Sequence, residues 1–220
     1  MTKQRARRNI ENNFRRDGYL SIAGVDEVGR GCLAGPVTAG AVVLDVGLRL
    51  TGICDSKQLT ALARERFYGR ITRSARAWAV ASCSPEEIDR INIHQATLLA
   101  MHRAVSALDP PPDLVLVDAF RIPNLALPQQ PVPQGDRRCT CIAAASIVAK
   151  VTRDREMAEW HRQDPRYGYD RHKGYSTADH LAAMARFGYS PIHRRSFRPP
   201  SLFDTMDEPG VLPASIEPAE

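Results

Sequence analysis

The chain has 220 residues, 43% of them hydrophobic and 25% charged, with a formal net charge of +5. This length suits one sizeable domain with a well-buried core. The composition is that of an ordinary soluble globular protein and excludes a membrane span, because no apolar run approaches the roughly 18 residues that a span needs.

The charge is unevenly spread. Residues 201–220 hold five acids and no Lys or Arg, so residues 1–200 carry all 30 basic side chains against 20 acids, a net +10. A body this basic is expected to associate with a polyanion, nucleic acid above all, by neutralising phosphates. The basic start from Met1 to Arg8 is not followed by an apolar segment and does not read as a secretory signal. Cys32, Cys54, Cys83, Cys139 and Cys141 are an odd number without zinc-ligand pairs, which points to free thiols in a reducing compartment, the cytosol.

In chain order, residues 1–18 are polar without a sustained period and read as a flexible basic arm. An apolar run from Leu20 to Val25 reads as a buried strand that delivers Asp26 and Glu27 into the turn Gly29-Arg30-Gly31. Two adjacent carboxylates repel each other and resist desolvation unless a cation sits between them. A continuing strand would send them to opposite faces, so the strand is expected to end before Asp26, with the glycines allowing the break and a close backbone approach to a ligand.

Residues 36–44 read as a second strand, followed by Asp55-Ser56-Lys57. From about Thr60 the apolar positions Leu62, Ala63, Phe67 and Ile71 predict a helix, and residues 77–81 a third strand. Ser84-Pro85-Glu86-Glu87 is a capping box opening a short helix. Asn92 with Gln95 opens a longer one through about Leu108, stopped by Pro110-Pro111-Pro112. Residues 113–118 form an apolar run ending in Asp118, as a central strand covered on both faces would look. The proline-rich residues 120–133 read as a loop or edge element leading to Gly135-Asp136, and a long helix is predicted over about 140–160, its small residues suited to close packing on a sheet. Ser176 with Asp179 caps a last helix that stops at Gly188. The basic cluster from His193 to Arg198 precedes an acidic tail, residues 201–220, expected to be disordered. The beat of strand, helix, strand argues for a single α/β domain over residues 19–200.

Asp26, Glu27, Asp118 and Asp136 all fall at element ends, and in a layered α/β fold the ends of central strands converge at one edge. A site made wholly of carboxylate oxygens suits Mg²⁺ or Mn²⁺ rather than zinc. Two such ions about 3.5–4 Å apart clamp the attacking and leaving oxygens of a phosphodiester displacement. Asp154 competes with Asp136 as the fourth acid, but it lies mid-helix among alternating charges, where an ion pair is the default. The six histidines show no metal spacing and each reads first as a surface or packing residue, with phosphate contact the alternative for His172 and His193, which lie in basic loops.

The residues Gly24 to Gly31, Asp55-Ser56-Lys57, Val117-Asp118-Ala119, Gly135-Asp136, Ala144 to Asp154, His172-Lys173-Gly174-Tyr175 and Arg194-Arg195-Ser196-Phe197, in this order, resemble bacterial ribonuclease HII. The resemblance implies a ribonuclease H-like fold, a central mixed sheet flanked by helices with a small helical C-terminal extension. It implies cleavage of the RNA strand in RNA/DNA hybrids and incision on the 5′ side of single ribonucleotides in duplex DNA, leaving 3′-hydroxyl and 5′-phosphate ends. Asp26, Glu27, Asp118 and Asp136 match the family's catalytic, metal-holding acids. Gly29, Arg30 and Gly31 would read the ribose 2′-hydroxyl through backbone groups, and Tyr175 would stack on the sugar of the next deoxynucleotide. Ser56, Lys57, Arg194 and Arg195 are assigned to phosphate contacts, more on charge than on the resemblance. Cys32, Ala119 and Ala143 depart from the family's usual residues by small exchanges that leave the acids in place. The protein is expected to act as a monomer without a membrane. A ribonuclease HIII-like hybrid nuclease is the alternative, which the short segment before the first strand disfavours; a non-catalytic hybrid-binding module is a more distant one.

Overall fold

The computed structural model describes residues 8–53 and 56–197; Cys54, Asp55, the first seven residues and the acidic tail lie outside the described residues. Strands β1 (Ile22–Val28), β2 (Val37–Leu44), β3 (Ala75–Cys83), β4 (Leu114–Asp118) and β5 (Gln129–Val132) form one sheet in the order β3-β2-β1-β4-β5. The pairs β1/β2 and β2/β3 are antiparallel, whereas β1/β4 and β4/β5 are parallel. The sheet is therefore mixed, and β1 and β4 deliver their C-terminal ends to the same edge.

Two apolar layers cover the sheet. On one face, β-strand residues such as Ala23, Val25 and Val117 pack against α3 (Pro85–Ser106) through Ile88, Met101 and Val105. On the other, Ile22, Val42 and Leu116 pack against α5 (Thr140–Gln163) and Ile71 of α2 (Ala61–Ser74). The small residues at the start of α5 let it lie directly on β1: a Cβ on Gly24 would stand 2.2 Å from the Cys141 carbonyl carbon. Helix α3 carries the capping box at Ser84 and Glu87 and a non-helical Asn92, whose Oδ1 accepts the N–H groups of His94 and Gln95. The two helices read from the sequence are thus one kinked element.

Three further expectations change. Strand β1 does not stop before the acids but runs through Asp26 and Glu27, which pair with Gly40 and Ala39 of β2. The antiparallel partner supplies hydrogen bonds past the point where the apolar run ends. Within the arm, residues 9–16 form a helix, α1 (Asn9–Arg16), with Ile10 and Phe14 packed on the α5 layer. Its hold is tertiary: buried Glu11 accepts the Cys141 N–H at 3.0 Å, and the Arg8 guanidinium donates to the Val46 and Leu48 carbonyls. The last helix, α7 (Ala178–Phe187), is capped by Thr177, whose hydroxyl accepts the His180 N–H, and not by Ser176. Between α5 and α7, α6 (Tyr169–His172) and a preceding turn join Met157, Tyr167 and Ile192 in a small cluster of their own. No helix among the described residues is long and apolar enough to cross a membrane.

Candidate active site

Asp26, Glu27 and Asp118 meet at the edge where β1 and β4 end. Asp26 is 6% exposed and lies on the α5 face, while Glu27, the next residue of the strand, starts from the opposite face and is half-buried. Asp26 Oδ1 accepts the N–H of the next residue, Glu27, at 2.8 Å. Burial first, then the charges of Glu27 and Asp118, push its carboxyl well above the usual range, against a hydrogen bond from the Ser146 hydroxyl. Glu27 is raised as well, mainly by burial and in part by Asp118, with Arg30 acting against it at 3.5 Å. Asp118 Oδ1 accepts the Gly135 N–H at 2.7 Å, which ties β4 to α4 (Gly135–Arg138) and so to the half-buried Asp136 in its first turn.

Beside the acids opens a cleft of about 400 Å³ whose wall includes Asp26, Glu27, Gly29, Arg30, Gly31 and Tyr175. Ser56 and Lys57 line it from the loop before α2, and Ser146 and Lys150 from α5. Ser56 is buried with its hydroxyl 2.9 Å from that of Ser146, which continues to Asp26. Lys150 pairs with Asp154 at 2.6 Å and stands 5.7 Å from the Tyr175 ring centroid. Asp154 is thus engaged in a helical ion pair, as its charge pattern indicated. Tyr175 is 38% exposed and its backbone bridges to buried Cys32. The sequence did not single out Ser146 and Lys150, although their four-residue spacing puts them on one side of a helix.

The two glycines of the turn differ. Gly29 has φ +90°, and a Cβ there would stand 2.3 Å from Arg153 Nε, so the fold itself requires this glycine. At Gly31 an added Cβ would meet nothing within 4 Å, so only what enters the cleft can demand a bare backbone.

Other assigned residues stand elsewhere. Arg194 is fully buried and donates to the carbonyls of Gly29, Arg30 and Gly35, so it does not meet phosphate. Arg195 is exposed, but its guanidinium lies 4.6 Å from the Tyr189 ring centroid and does not line the cleft. His172 and His193 are buried rather than offered to phosphate; His193 shares its Nε2 with His180 at 3.1 Å and its Nδ1 with Ser190. Burial pushes His180 down to about 4 and His193 to about 3, which keeps both neutral at physiological pH. A basic loop and a buried hydrogen-bonded core look alike in sequence when the burying partners come from distant elements.

Asp26, Glu27 and Asp118 fit a divalent cation by charge: Asp26 is enclosed beside two further carboxylates, and burial and their charges together raise its carboxyl, which a cation between them would offset. Among the described residues, no three His, Cys, Asp or Glu side chains are already gathered as a metal cage. The donor set is an open, all-oxygen one, of the kind that leaves ligand positions for water and phosphate.

A mixed five-stranded sheet with carboxylates at the shared end of two adjacent parallel strands, beside a cleft in a basic body, defines a nuclease of the ribonuclease H type. The ribonuclease HII family profile matches residues 23–199. Ribonuclease HII of Nitrosococcus oceani is 54% identical over 182 residues, 83% of this chain and 90% of that protein. Ribonuclease HII of Coxiella burnetii strain Dugway is 52% identical over 180 residues, 82% and 89% respectively. The crystal structure of ribonuclease H2 from Pyrococcus horikoshii superposes with a TM-score of 0.72 at 26% identity, covering 86% of this chain and all of that one. The chain belongs to the ribonuclease HII family and is an endoribonuclease.

Proposed function

We propose that the protein hydrolyses the RNA strand of RNA/DNA hybrids and incises duplex DNA on the 5′ side of a single embedded ribonucleotide, leaving 3′-hydroxyl and 5′-phosphate ends. The observation that carries this reading is Asp26, its carboxyl raised first by burial and then by Glu27 and Asp118, lining a cleft whose wall includes a glycine turn. Membership of the family supports it, as does the net charge of +10 over residues 1–200, which suits a duplex substrate.

Asp26, Glu27 and Asp118, with Asp136 on the adjoining helix, are the residues that would hold Mg²⁺ or Mn²⁺. Two such ions would supply positive charge to the attacking and leaving oxygens and lower the pKa of water. Ser146, backed by Ser56, fixes the Asp26 carboxylate from behind. Lys57 and Lys150 offer cationic charge to the phosphate backbone. Tyr175 presents a partly exposed ring for stacking on a sugar. The backbone N–H groups of the Gly29-Arg30-Gly31 turn meet the ribose 2′-hydroxyl, the group that tells RNA from DNA. A monomer acting in the cytosol fits this reading: Cys32, Cys83, Cys139 and Cys141 are buried free thiols, as a reducing compartment allows.

The test is a cleavage assay that compares a duplex carrying one ribonucleotide with a long RNA/DNA hybrid, in Mg²⁺ and in Mn²⁺. Incision at the single ribonucleotide is expected. Good activity on the hybrid with none at the single ribonucleotide would point instead to a ribonuclease HIII-like enzyme.

A further inference from the structure

Two arginines, Arg153 and Arg194, are fully buried directly beneath the glycine turn. Burying a guanidinium is costly, and a core position is usually filled as well by an apolar side chain. Each spends its planar fork on backbone carbonyls. Arg153 donates to Ala34 and Pro36 at 3.0 and 2.8 Å and to Lys173 at 2.9 Å. Arg194 donates to Gly29 at 2.6 Å, to Arg30 at 2.9 Å and to Gly35 at 2.9 Å. Burial lowers Arg194 to about 10, which leaves it cationic at neutral pH.

The consequence lies in the peptide plane. In a trans peptide the C=O and the following N–H point in opposite directions. Where Arg194 draws the Gly29 and Arg30 carbonyls into the protein, the N–H groups of Arg30 and Gly31 turn the other way, toward the cleft that these residues line. Gly31 is exposed there with open space about its Cα. Arg194 itself is mounted from two sides. Its own N–H donates to Leu33, and the next two residues are clamped to α3 by Asp89, whose carboxylate accepts the N–H groups of Arg195 and Ser196 at 2.8 and 2.9 Å and the Ser196 hydroxyl at 2.5 Å.

We infer that Arg194 is a positioning residue for ribonucleotide recognition: it holds the Gly29 and Arg30 carbonyls inward and thereby presents the Arg30 and Gly31 N–H groups to the ribose hydroxyl. This rests on the reading that the turn contacts that hydroxyl. A lysine would keep the charge but not the fork that grips three carbonyls at once.

The experiment measures Kd of the full chain, in EDTA so that no cleavage competes, for two DNA duplexes that differ only by one ribonucleotide. The wild type is expected to prefer the ribonucleotide duplex about tenfold, the order that two amide hydrogen bonds supply. Arg194→Lys is expected to bring the ratio to within about twofold of parity, with Kd for the all-DNA duplex unchanged and the circular dichroism spectrum retained. Should that variant fail to fold, Asp89→Ala, which loosens the mount, is expected to lower the same ratio. A merely structural role would weaken both duplexes in parallel or leave the ratio intact in both variants, and either result overturns the role of Arg194. A wild-type ratio of one would overturn the reading of the turn and this inference with it.

Discussion

The Asp118 carboxylate accepts the Gly135 N–H at 2.7 Å, so one proposed metal ligand anchors the short helix that carries another, Asp136. One side chain thus has two duties, charge and anchorage, which substitutions can separate. Asn keeps an acceptor oxygen and loses the charge; Ala loses both. Asp118→Asn is expected to reduce kcat by more than about 100-fold, beyond what loss of an outer partner of a metal ligand costs, with Tm maintained. Asp118→Ala is expected to be equally inactive and also less stable by about 1–2 kcal/mol, because the Gly135 N–H is left unpaired. Initial rates and thermal melts of the two variants check this.

Asp26 makes the metal-free protein sensitive to pH. Its carboxyl is raised in the folded state, first by burial and then by Glu27 and Asp118. Folded protein therefore retains a proton that the unfolded chain has released, and stability falls as pH rises above the ordinary carboxylate range. Asp26→Asn is expected to raise Tm at about pH 8 in EDTA by roughly 2–4 °C, about 1 kcal/mol for a domain of this size. The difference should vanish below about pH 3.9, where the unfolded carboxyl also holds its proton. Addition of Mn²⁺ or Mg²⁺ should stabilise the wild type more than the variant. Melts across pH with and without metal give all three results.

Ala119, directly after Asp118, has φ +59°, in the left-handed region, and the following N–H of Phe120 bonds to the Asp118 carbonyl at 2.7 Å. An alanine there costs about 1 kcal/mol relative to glycine. Ala119→Gly is expected to stabilise the protein by about 0.5–1 kcal/mol, the gain offset in part by greater freedom of the unfolded chain. Chemical denaturation measures it.

The glycines of the turn should respond in opposite ways. Gly29→Ala places a Cβ against buried Arg153 at a positive φ and is expected to cost about 2 kcal/mol or more. Gly31→Ala is expected to alter stability by less than about 0.5 kcal/mol, while weakening binding of ribonucleotide-containing duplex. Paired melts and Kd measurements distinguish the two.

Much of the fold was legible because its signals are local. The apolar run before Asp118, the capping box at Ser84 and Glu87, and the small residues at the start of α5 each declare themselves within a few positions. The acids were legible as element ends even though β1 outlasts its apolar run, since a hydropathy pattern does not register the hydrogen bonds that β2 provides as far as Val28. What escaped depends on partners far away in the chain. Glu11 meets the start of α5 at Cys141, 130 residues on, so α1 reads as a loose basic arm until that contact is seen. Arg194 escaped for a related reason: a guanidinium aimed at phosphate and one aimed at buried carbonyls have the same sequence signature, and only the fold of Gly29 to Gly35 over it separates them.

The most direct measurement maps the cut in a DNA duplex carrying one ribonucleotide, incubated with Mn²⁺ and either the wild type or Asp26→Asn, on a sequencing gel. The expected result is a single nick on the 5′ side of the ribonucleotide, none in the all-DNA duplex, and loss of the nick in Asp26→Asn while duplex binding persists. Nicking on the 3′ side, or unchanged nicking by Asp26→Asn, would contradict the account.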